Sequence, residues 1–243
     1  MGLLDTWTLG DHRASGVRHP TYRKGTGPGV IVVHEIPGLT PEVIGFGEEL
    51  VEAGYTVVMP HLFGEPEKGM NPLTVAGSLR QVCVSREFTV LATGQTSPIA
   101  GWLRSLAREL HAELGGPGVG ALGMCFTGGF ALAMMVDDSV AAPVLAQPST
   151  PFPVSPGRSR DLNLSDADLA TVKSRAAAGC EVLGLRYRSD PAVGKRFERL
   201  TEEIGDKFIR VELEGRGHST VTEHRQQVAV DAVLEFFAEK LSA

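Results

Sequence analysis

The amino-acid sequence predicts an α/β fold in which a mostly parallel central sheet carries helices on both faces. Short runs rich in Val, Ile and Leu alternate along the 243 residues with longer stretches whose apolar positions repeat at helical spacing. The apolar runs are nearly continuous, as in parallel strands that are buried on both faces. Because no change in composition divides the chain, we expect one domain over residues 1–243, with a polar segment, residues 1–28, packed on it.

Local signals justify the elements in chain order. The β-branched run at 29–34 predicts a buried strand, and Pro41 after a capping threonine predicts the start of a helix. Helical spacing predicts a helix over 98–114, and Ser165 followed by Asp168 predicts another helix start. The expected strands are 17–22, 29–34, 55–60, 119–123, 140–146, 180–186 and 207–213. The expected helices are 41–53, 73–80, 98–114, 128–137, 165–178, 192–204 and 222–241.

Two segments do not follow the alternation of strands and helices. Residues 81–97 show a mixed pattern and receive no assignment. Residues 147–165 form a predicted loop that is too long for a plain connector, so we expect it to form a wall of the functional site.

Composition excludes several classes of function. The net charge of −6 and the lack of a long basic run argue against a nucleic-acid partner. No apolar run is long enough for a membrane span, and the N-terminus lacks the pattern of a secretory signal. The three cysteines cannot all pair and fit no zinc spacing, which favours the reducing cytoplasm. We expect no metal or organic cofactor, and the oligomeric state stays open.

The most informative stretch is residues 119–129 (VGALGMCFTGG), in which a short apolar run ends in glycine, passes one cysteine and enters a helix. This pattern is typical of a nucleophile elbow, with Cys125 in the place of serine. The elbow sets its nucleophile at the start of a helix, where the helix dipole favours a thiolate. The alternative is a buried cysteine that acts as a small apolar side chain.

Four predicted strands end in loops that carry reactive side chains. Glu35 follows the first, Cys125 the second, Asp190 the third and His218 the last. The order nucleophile, acid, histidine is the chain order of the α/β-hydrolases, whose ligands bind beyond the carboxyl ends of the strands. Each residue has a simpler interpretation. Asp190 could cap a helix, His218 could be an ordinary loop histidine, and Glu35 could cap a helix or be solvated.

Three motifs together make the sequence similar to the dienelactone hydrolase family of α/β-hydrolases. They are residues 34–39 (HEIPGL), residues 123–128 (GMCFTG) and residues 217–219 (GHS), together with the Asp190 loop. The resemblance implies the α/β-hydrolase fold and a Cys–His–Asp triad, with Cys125 as nucleophile, His218 as base and Asp190 as the residue that orients the histidine.

The resemblance also assigns the surrounding roles. Glu35 would contact the resting thiol and help to deprotonate it. The backbone N–H groups of Ile36 and Phe126 would form the oxyanion hole. Arg86 is expected to bind a substrate carboxylate. Thr127 stands where the family more often has glycine, and it would either crowd the turn or place a hydroxyl beside the nucleophile, where we expect it to contact the substrate.

A departure from the family concerns the second carboxylate-binding arginine. Thr222 stands in its expected place, and Arg225, one helical turn later, is a possible substitute. The leading hypothesis is an enzyme of the carboxylic-ester hydrolase class that cleaves a small ester or lactone, as carboxymethylenebutenolidase does, through a thioester acyl-enzyme. The alternatives are a thioesterase or other small acyl-compound hydrolase, and a protein of this fold that binds a small molecule or partner without turnover.

Overall fold

A computed structural model describes residues 2–88 and 92–242. Its centre is an eight-stranded sheet in the order β1-β2-β4-β3-β5-β6-β7-β8. The strands are β1 (Thr8–Ala14), β2 (Val17–Lys24), β3 (Gly29–Val33), β4 (Thr56–Pro60), β5 (Val119–Met124), β6 (Val140–Ala146), β7 (Val182–Tyr187) and β8 (Phe208–Leu213). The first two pairings, β1 with β2 and β2 with β4, are antiparallel, and the remaining pairings are parallel.

Eight α-helices among the described residues connect and cover the strands. They are α1 (Pro41–Glu52), α2 (Pro72–Val84), α3 (Ile99–Leu114), α4 (Gly128–Met134), α5 (Pro156–Arg160), α6 (Asp166–Ala177), α7 (Arg196–Ile204) and α8 (Gln227–Leu241). None of these helices combines the length and the apolar character that a bilayer crossing needs.

Two apolar layers hold the sheet between its helices. In β3, Ile31 and Val33 face the layer formed with α3, α4, α6 and α7, whereas Val30 and Val32 face the layer formed with α1 and α8. The alternation follows from the two-residue period of a strand, and burial on both sides explains why the strand is apolar throughout. The predicted α/β architecture is therefore confirmed.

The largest difference from the predicted elements is the N-terminal segment, which contributes two strands to the sheet. Strand β1 was not expected, because its side chains are mostly polar and exposed, as on an edge strand. It pairs with β2 from Thr8–Arg23 to Ala14–Val17. Within the predicted loop 147–165 lies the short helix α5, and α2 extends into the unassigned segment 81–97, of which residues 89–91 lie outside the described residues.

The parallel strands bring five connecting segments to one edge of the sheet. They follow the carboxyl ends of β3, β5, β6, β7 and β8 and carry Glu35, Cys125, Ser149, Asp190 and His218. Because β3, β5, β6, β7 and β8 are successive neighbours in the sheet, these segments lie side by side.

Candidate active site

Cys125 lies at a sharp turn between β5 and α4. Its backbone φ is +53°, in the left-handed region that side-chain-bearing residues seldom adopt, and one turn of 3₁₀-helix joins it to α4. The neighbouring glycines are needed for space. A Cβ on Gly123 would lie 2.2 Å from the Thr127 carbonyl oxygen, and one on Gly128 would lie 2.6 Å from Cα of Pro148. The local sequence therefore builds the predicted elbow, with the Cys125 side chain half-buried.

The Thr127 side chain lies under the turn at Cys125, against β3, and does not face the site. Its side chain is fully buried, and its hydroxyl donates to the Val33 carbonyl oxygen at 2.8 Å and accepts from the Met124 N–H at 3.1 Å. Because these backbone groups engage the hydroxyl, the expected substrate contact of Thr127 does not agree with the geometry. Thr127 ties the nucleophile loop to β3.

His218 and Asp190 meet across the ends of β8 and β7. Nδ1 of His218 donates to Oδ2 of Asp190 at 2.7 Å, which leaves Nε2 free of this carboxylate. The other carboxylate oxygen of Asp190 accepts from the Ala192 N–H at 2.9 Å. Helix α7 begins only at Arg196, so Asp190 orders its own loop and orients the imidazole at the same time.

The surroundings of His218 favour its charged form. Burial of the imidazole by itself lowers its pKa. Hydrogen bonding to Asp190 and Cys125 and the charges of both residues outweigh this effect and raise the pKa to about 11. Only 27% of the side chain is exposed, so water weakens these interactions little.

Glu35 is a buried carboxylate beside this pair. Ser219 donates a hydrogen bond to Oε2 at 2.7 Å, and the Thr222 hydroxyl donates to Oε1. Burial raises the pKa of Glu35, and the two hydroxyls and His218 offset part of that effect. A carboxylate oxygen of Glu35, Sγ of Cys125 and a ring nitrogen of His218 all lie within 4.8 Å of one another. The four residues that sequence reasoning selected thus converge.

The same three side chains define a possible metal site. Among residues 2–88 and 92–242, the carboxylate of Glu35, the thiol of Cys125 and the imidazole of His218 form a group with metal-ligand chemistry at this mutual distance. The three residues are far apart in the sequence, so no ligand spacing could reveal the group.

Hydrogen bonds from His34 and Ser78 stabilise the turn that contains Ile36. His34 is fully buried, and its Nδ1 donates to the Glu35 carbonyl oxygen at 3.0 Å while its Nε2 accepts from the Leu62 N–H at 3.0 Å. The Ser78 hydroxyl of α2 donates to the Pro37 carbonyl oxygen at 2.5 Å. These contacts fix the backbone at Ile36, whose N–H is one of the two predicted oxyanion donors.

The second predicted donor belongs to Phe126, whose ring anchors the elbow. The ring lies edge to face with Phe63, Phe88 and Phe130, at centroid distances of 5.6, 5.6 and 5.8 Å. The Phe126 N–H lies in the first turn of the helical segment, where backbone N–H groups have no partner within the helix. It is thus available to a ligand near Cys125.

Ser149 is a site residue that sequence reasoning missed. Its N–H donates to the Cys125 carbonyl oxygen at 3.0 Å, and its hydroxyl lies 3.4 Å from Sγ of Cys125. The side chain is 2% exposed. The only sequence signal was the length of the loop after β6, which pointed to a wall of the site but to no particular residue.

The wall formed by this loop is anchored by the buried guanidinium of Arg196. It donates to the carbonyl oxygens of Asp161 at 2.9 Å and Arg158 at 3.0 Å, and also to that of Pro151. Burial lowers the pKa of Arg196 to about 10. The loop that carries Ser149 is therefore held by side-chain hydrogen bonds in addition to its own turns.

The two candidate arginines lie in different surroundings. Arg86 is exposed in the turn after α2, two residues before Phe88, which packs against Phe126. Arg225 forms an ion pair with Glu49 of α1, with Nη2 2.7 Å from Oε2, and it also donates to Gln227. Arg225 is thus engaged on the outer surface, and Thr222, in the expected arginine position, binds Glu35.

Comparison with known proteins agrees with the fold. A family model described as the dienelactone hydrolase family matches residues 17–238. No curated protein sequence matches the chain. A solved dienelactone hydrolase from Anabaena variabilis ATCC 29413 has a TM-score of 0.69 at 16% identity, covering 97% of this chain and 98% of that one.

Two further solved structures have the same fold. A dienelactone hydrolase-like promiscuous phosphotriesterase from metagenomic libraries has a TM-score of 0.67 at 15% identity, covering 98% of this chain and 99% of that one. A zinc-bound cold-adapted esterase from an Arctic intertidal metagenomic library has a TM-score of 0.62 at 13% identity, covering 96% and 93%. The predicted α/β-hydrolase architecture is confirmed by these similarities.

Proposed function

The chain belongs to the dienelactone hydrolase family, a carboxylic-ester hydrolase class, and we propose that it cleaves a small ester or lactone through a thioester formed on Cys125. The proposal rests on the succession of close contacts from the Asp190 carboxylate to the His218 imidazole and from the imidazole to the Cys125 sulfur. The Asp190–His218 hydrogen bond measures 2.7 Å, and a ring nitrogen of His218 lies within 4.8 Å of Sγ. This arrangement has the parts that a nucleophile activated by a base requires.

In the acylation step, His218 takes the thiol proton and the Cys125 sulfur attacks the carbonyl carbon of the substrate. The carbonyl oxygen becomes an oxyanion that accepts hydrogen bonds from the N–H groups of Ile36 and Phe126. The intermediate collapses to a thioester, and the leaving alkoxide takes the proton from His218. In a lactone, the alkoxide stays attached to the acyl group.

In the deacylation step, His218 removes a proton from water, and the resulting hydroxide attacks the thioester carbonyl. The second tetrahedral intermediate uses the same two N–H groups. Its collapse releases the carboxylic acid, and the thiolate regains its proton from His218. Asp190 holds the imidazole in the tautomer that presents Nε2 and stabilises the imidazolium in both steps.

The site favours an uncharged acyl group over one that carries a carboxylate. Thr222 and Ser219 bind Glu35, Arg225 is paired with Glu49, and the buried Glu35 carboxylate lies within 4.8 Å of the sulfur. An acyl group with its own carboxylate would be repelled by Glu35. Small thioesters and other activated acyl compounds without a carboxylate are therefore a second candidate substrate class, and Arg86 is the candidate residue for an acidic substrate.

The decisive experiment measures the hydrolysis of p-nitrophenyl acetate and of a small lactone. Wild type, Cys125→Ala, Cys125→Ser and His218→Asn are compared, with Cys83→Ser as the matched control because Cys83 is exposed on α2. We expect Cys125→Ala and His218→Asn to lose activity and Cys83→Ser to retain it. Undiminished hydrolysis by Cys125→Ala would overturn the proposal.

A second measurement separates turnover from binding without turnover. Mass spectrometry after rapid quenching with acid should find the acetyl group on the peptide that contains Cys125. Iodoacetamide at neutral pH should alkylate Cys125 faster than Cys83 or Cys180. A Cys125 that is no more reactive than the other two thiols would favour a protein of this fold that only binds its ligand.

A substrate panel then tests the acyl class. Matched esters with and without a terminal carboxylate are compared in wild type and in Arg86→Ala. We expect higher kcat/KM for the uncharged esters. A preference for the acidic esters that disappears in Arg86→Ala would assign the substrate to the carboxylate class instead.

The cellular setting is part of the same proposal. Cys83, Cys125 and Cys180 are free thiols, and a nucleophilic thiol survives best where glutathione keeps cysteines reduced. We therefore place the enzyme in the cytoplasm, with a small-molecule substrate.

A further inference from the structure

We propose that Glu35, Cys125 and His218 form a binding site for a zinc-type divalent metal ion, which reversibly inhibits the enzyme. The proposal starts from the geometry of the three side chains, whose sulfur, nitrogen and oxygen atoms lie within 4.8 Å of one another. Metal binding is a property of these side chains alone, whereas inhibition by the metal rests on the proposed function.

The donor set selects the class of metal. A thiolate, an imidazole and a carboxylate are ligands that Zn²⁺ and Co²⁺ accept together, whereas Mg²⁺ and Ca²⁺ need oxygen ligands. Around a tetrahedral zinc, ligand atoms at about 2.0–2.3 Å from the metal lie roughly 3.3–3.8 Å from each other. The three donor atoms lie within 4.8 Å of one another, so small side-chain rotations can bring them into this range. The fourth position would hold water.

Two of the three ligands already have the supporting hydrogen bonds that metal ligands need. Nδ1 of His218 donates to Asp190 at 2.7 Å, an arrangement in which a carboxylate orients the histidine and increases its basicity. The Glu35 oxygens are held by the Ser219 and Thr222 hydroxyls, which leave lone pairs free on both oxygens. These contacts fix both side chains toward Cys125.

Charge also favours the ion. Glu35 is only 2% exposed, so the negative charge of its carboxylate is poorly solvated beside the Cys125 sulfur. A divalent cation with one thiolate and one carboxylate forms a neutral complex. The cation takes the place of the proton that Cys125 and His218 share, and that proton passes to solvent.

Inhibition follows from the atoms that the metal occupies. The Cys125 sulfur cannot attack a carbonyl while it binds the metal, and His218 cannot accept a proton at the coordinated nitrogen. Removal of the ion by a chelator restores both groups, because no covalent bond of the protein has changed.

The test uses Co²⁺ as a spectroscopic probe on the metal-free full-length protein. A cobalt ion bound to a thiolate gives a sulfur-to-metal charge-transfer absorption band, and its growth with concentration gives the dissociation constant. We expect the band in wild type and in Cys83→Ser and Cys180→Ser, and its loss in Cys125→Ser. In Glu35→Gln the dissociation constant should rise by at least about tenfold. Excess Zn²⁺ should abolish the band by displacing cobalt.

Several results would overturn the site. They are the lack of a band in wild type, its loss in Cys83→Ser, or an unchanged dissociation constant in Glu35→Gln. If Glu35→Gln fails to fold, Thr222→Val provides the second variant, because it keeps the carboxylate and removes one supporting hydrogen bond. An unchanged cobalt affinity in Thr222→Val would then count against the site.

The metal site and the proposed function can fail separately. A protein that shows the cobalt band but no ester hydrolysis would keep the site and overturn the function. A protein that hydrolyses esters, shows no cobalt band and is unaffected by Zn²⁺ would keep the proposed function and overturn the metal site.

Discussion

Two histidines follow parallel strands at the same edge of the sheet, and yet their pKa values are shifted in opposite directions. His34, after β3, has a pKa lowered to about 3, because it is fully buried, its hydrogen bonds go to backbone groups, and the neighbouring His61 disfavours a second positive charge. His218, after β8, has a pKa raised to about 11, because Asp190 and Cys125 outweigh the effect of burial. Burial disfavours the imidazolium in both cases.

The hydrogen-bond partners of a buried histidine therefore determine its charge and the role that it can take. A backbone carbonyl and a backbone N–H hold His34 as a neutral imidazole that donates at one nitrogen and accepts at the other, which suits a structural brace. Asp190 and Cys125 stabilise the protonated form of His218, which suits a group that is proposed to accept the Cys125 proton. Exchanging the partners should therefore exchange the roles.

Replacing the carboxylate partner of His218 should have the largest effect. Asp190→Asn removes the negative charge and presents the wrong tautomer, so we expect kcat/KM for p-nitrophenyl acetate to fall by roughly 10³–10⁴-fold. The His218 pKa should also fall, which an NMR titration of the ring protons would measure. Asp11→Asn, in an exposed ion pair of the β1–β2 hairpin, is the control. If Asp190→Asn kept a tenth or more of wild-type activity, the role proposed for Asp190 would be wrong.

Removing the neutral histidine should change stability and its pH dependence. His34→Phe leaves the Leu62 N–H without an acceptor, so we expect the free energy of unfolding at pH 8 to fall by about 1–3 kcal/mol. The His34 pKa is about 3 in the fold. Since a histidine in the unfolded chain titrates near ~6.5, the unfolded chain binds the extra proton between these values.

Wild type should therefore lose up to about 1.4 kcal/mol through this group for each pH unit below roughly 6.5, and His34→Phe should not. Urea denaturation at pH 8, 6.5, 5 and 4 would measure whether the difference between the two proteins narrows on acidification. The exposed His224→Phe serves as the control. A difference that stays constant or widens would contradict the pKa of His34.

Removing the Ser149 hydroxyl, the uncharged neighbour of the Cys125 sulfur, should lower kcat/KM less than removing the charge of Asp190. Ser149→Ala removes the hydroxyl that lies 3.4 Å from Sγ, and a loss of about 1 kcal/mol predicts a roughly fivefold decrease in kcat/KM. The rate of alkylation by iodoacetamide as a function of pH should shift as well, because the hydroxyl contacts the thiol directly. Ser149→Thr keeps the hydroxyl and should restore most of the activity. Equal profiles for wild type and Ser149→Ala would exclude this contact from the site.

Removing the Arg225 charge, which lies outside the site, should have the smallest effect on stability and activity. Arg225→Ala breaks an exposed ion pair with Glu49, so we expect a stability change of about 0–1 kcal/mol and unchanged kcat/KM for both acidic and uncharged esters. Urea denaturation and the ester panel would measure both quantities. A selective loss of tenfold or more with acidic esters would show that Arg225 reaches the substrate, and Glu49→Gln would then be expected to improve those esters.

The sequence predicts the parts of the site that topology alone brings together. Glu35, Cys125, Asp190 and His218 each follow a strand, and the carboxyl ends of parallel strands share an edge. Their convergence could be expected without knowing a single side-chain angle. The roles assigned to them stay predictions that the variants above test.

The remaining contacts depend on how loops fold back, and no local pattern contains that information. Ser149 reaches the sulfur because the loop after β6 turns over the elbow, and Thr222 reaches Glu35 from a turn before α8. The resemblance to the family predicts the Thr127 hydroxyl beside the nucleophile, because Thr127 stands where the family more often has glycine. The hydroxyl instead donates to the Val33 carbonyl oxygen of β3. Strand β1 escaped prediction because an edge strand needs no apolar pattern.

The left-handed backbone conformation at Cys125 means that keeping a side chain at this position lowers the stability of the fold. A side chain in that conformation costs on the order of 1 kcal/mol or more, and glycine does not carry this cost. Directed evolution that selects only for thermal stability should therefore accept glycine at position 125 and lose the proposed nucleophile, so any such selection must also measure catalysis in every round.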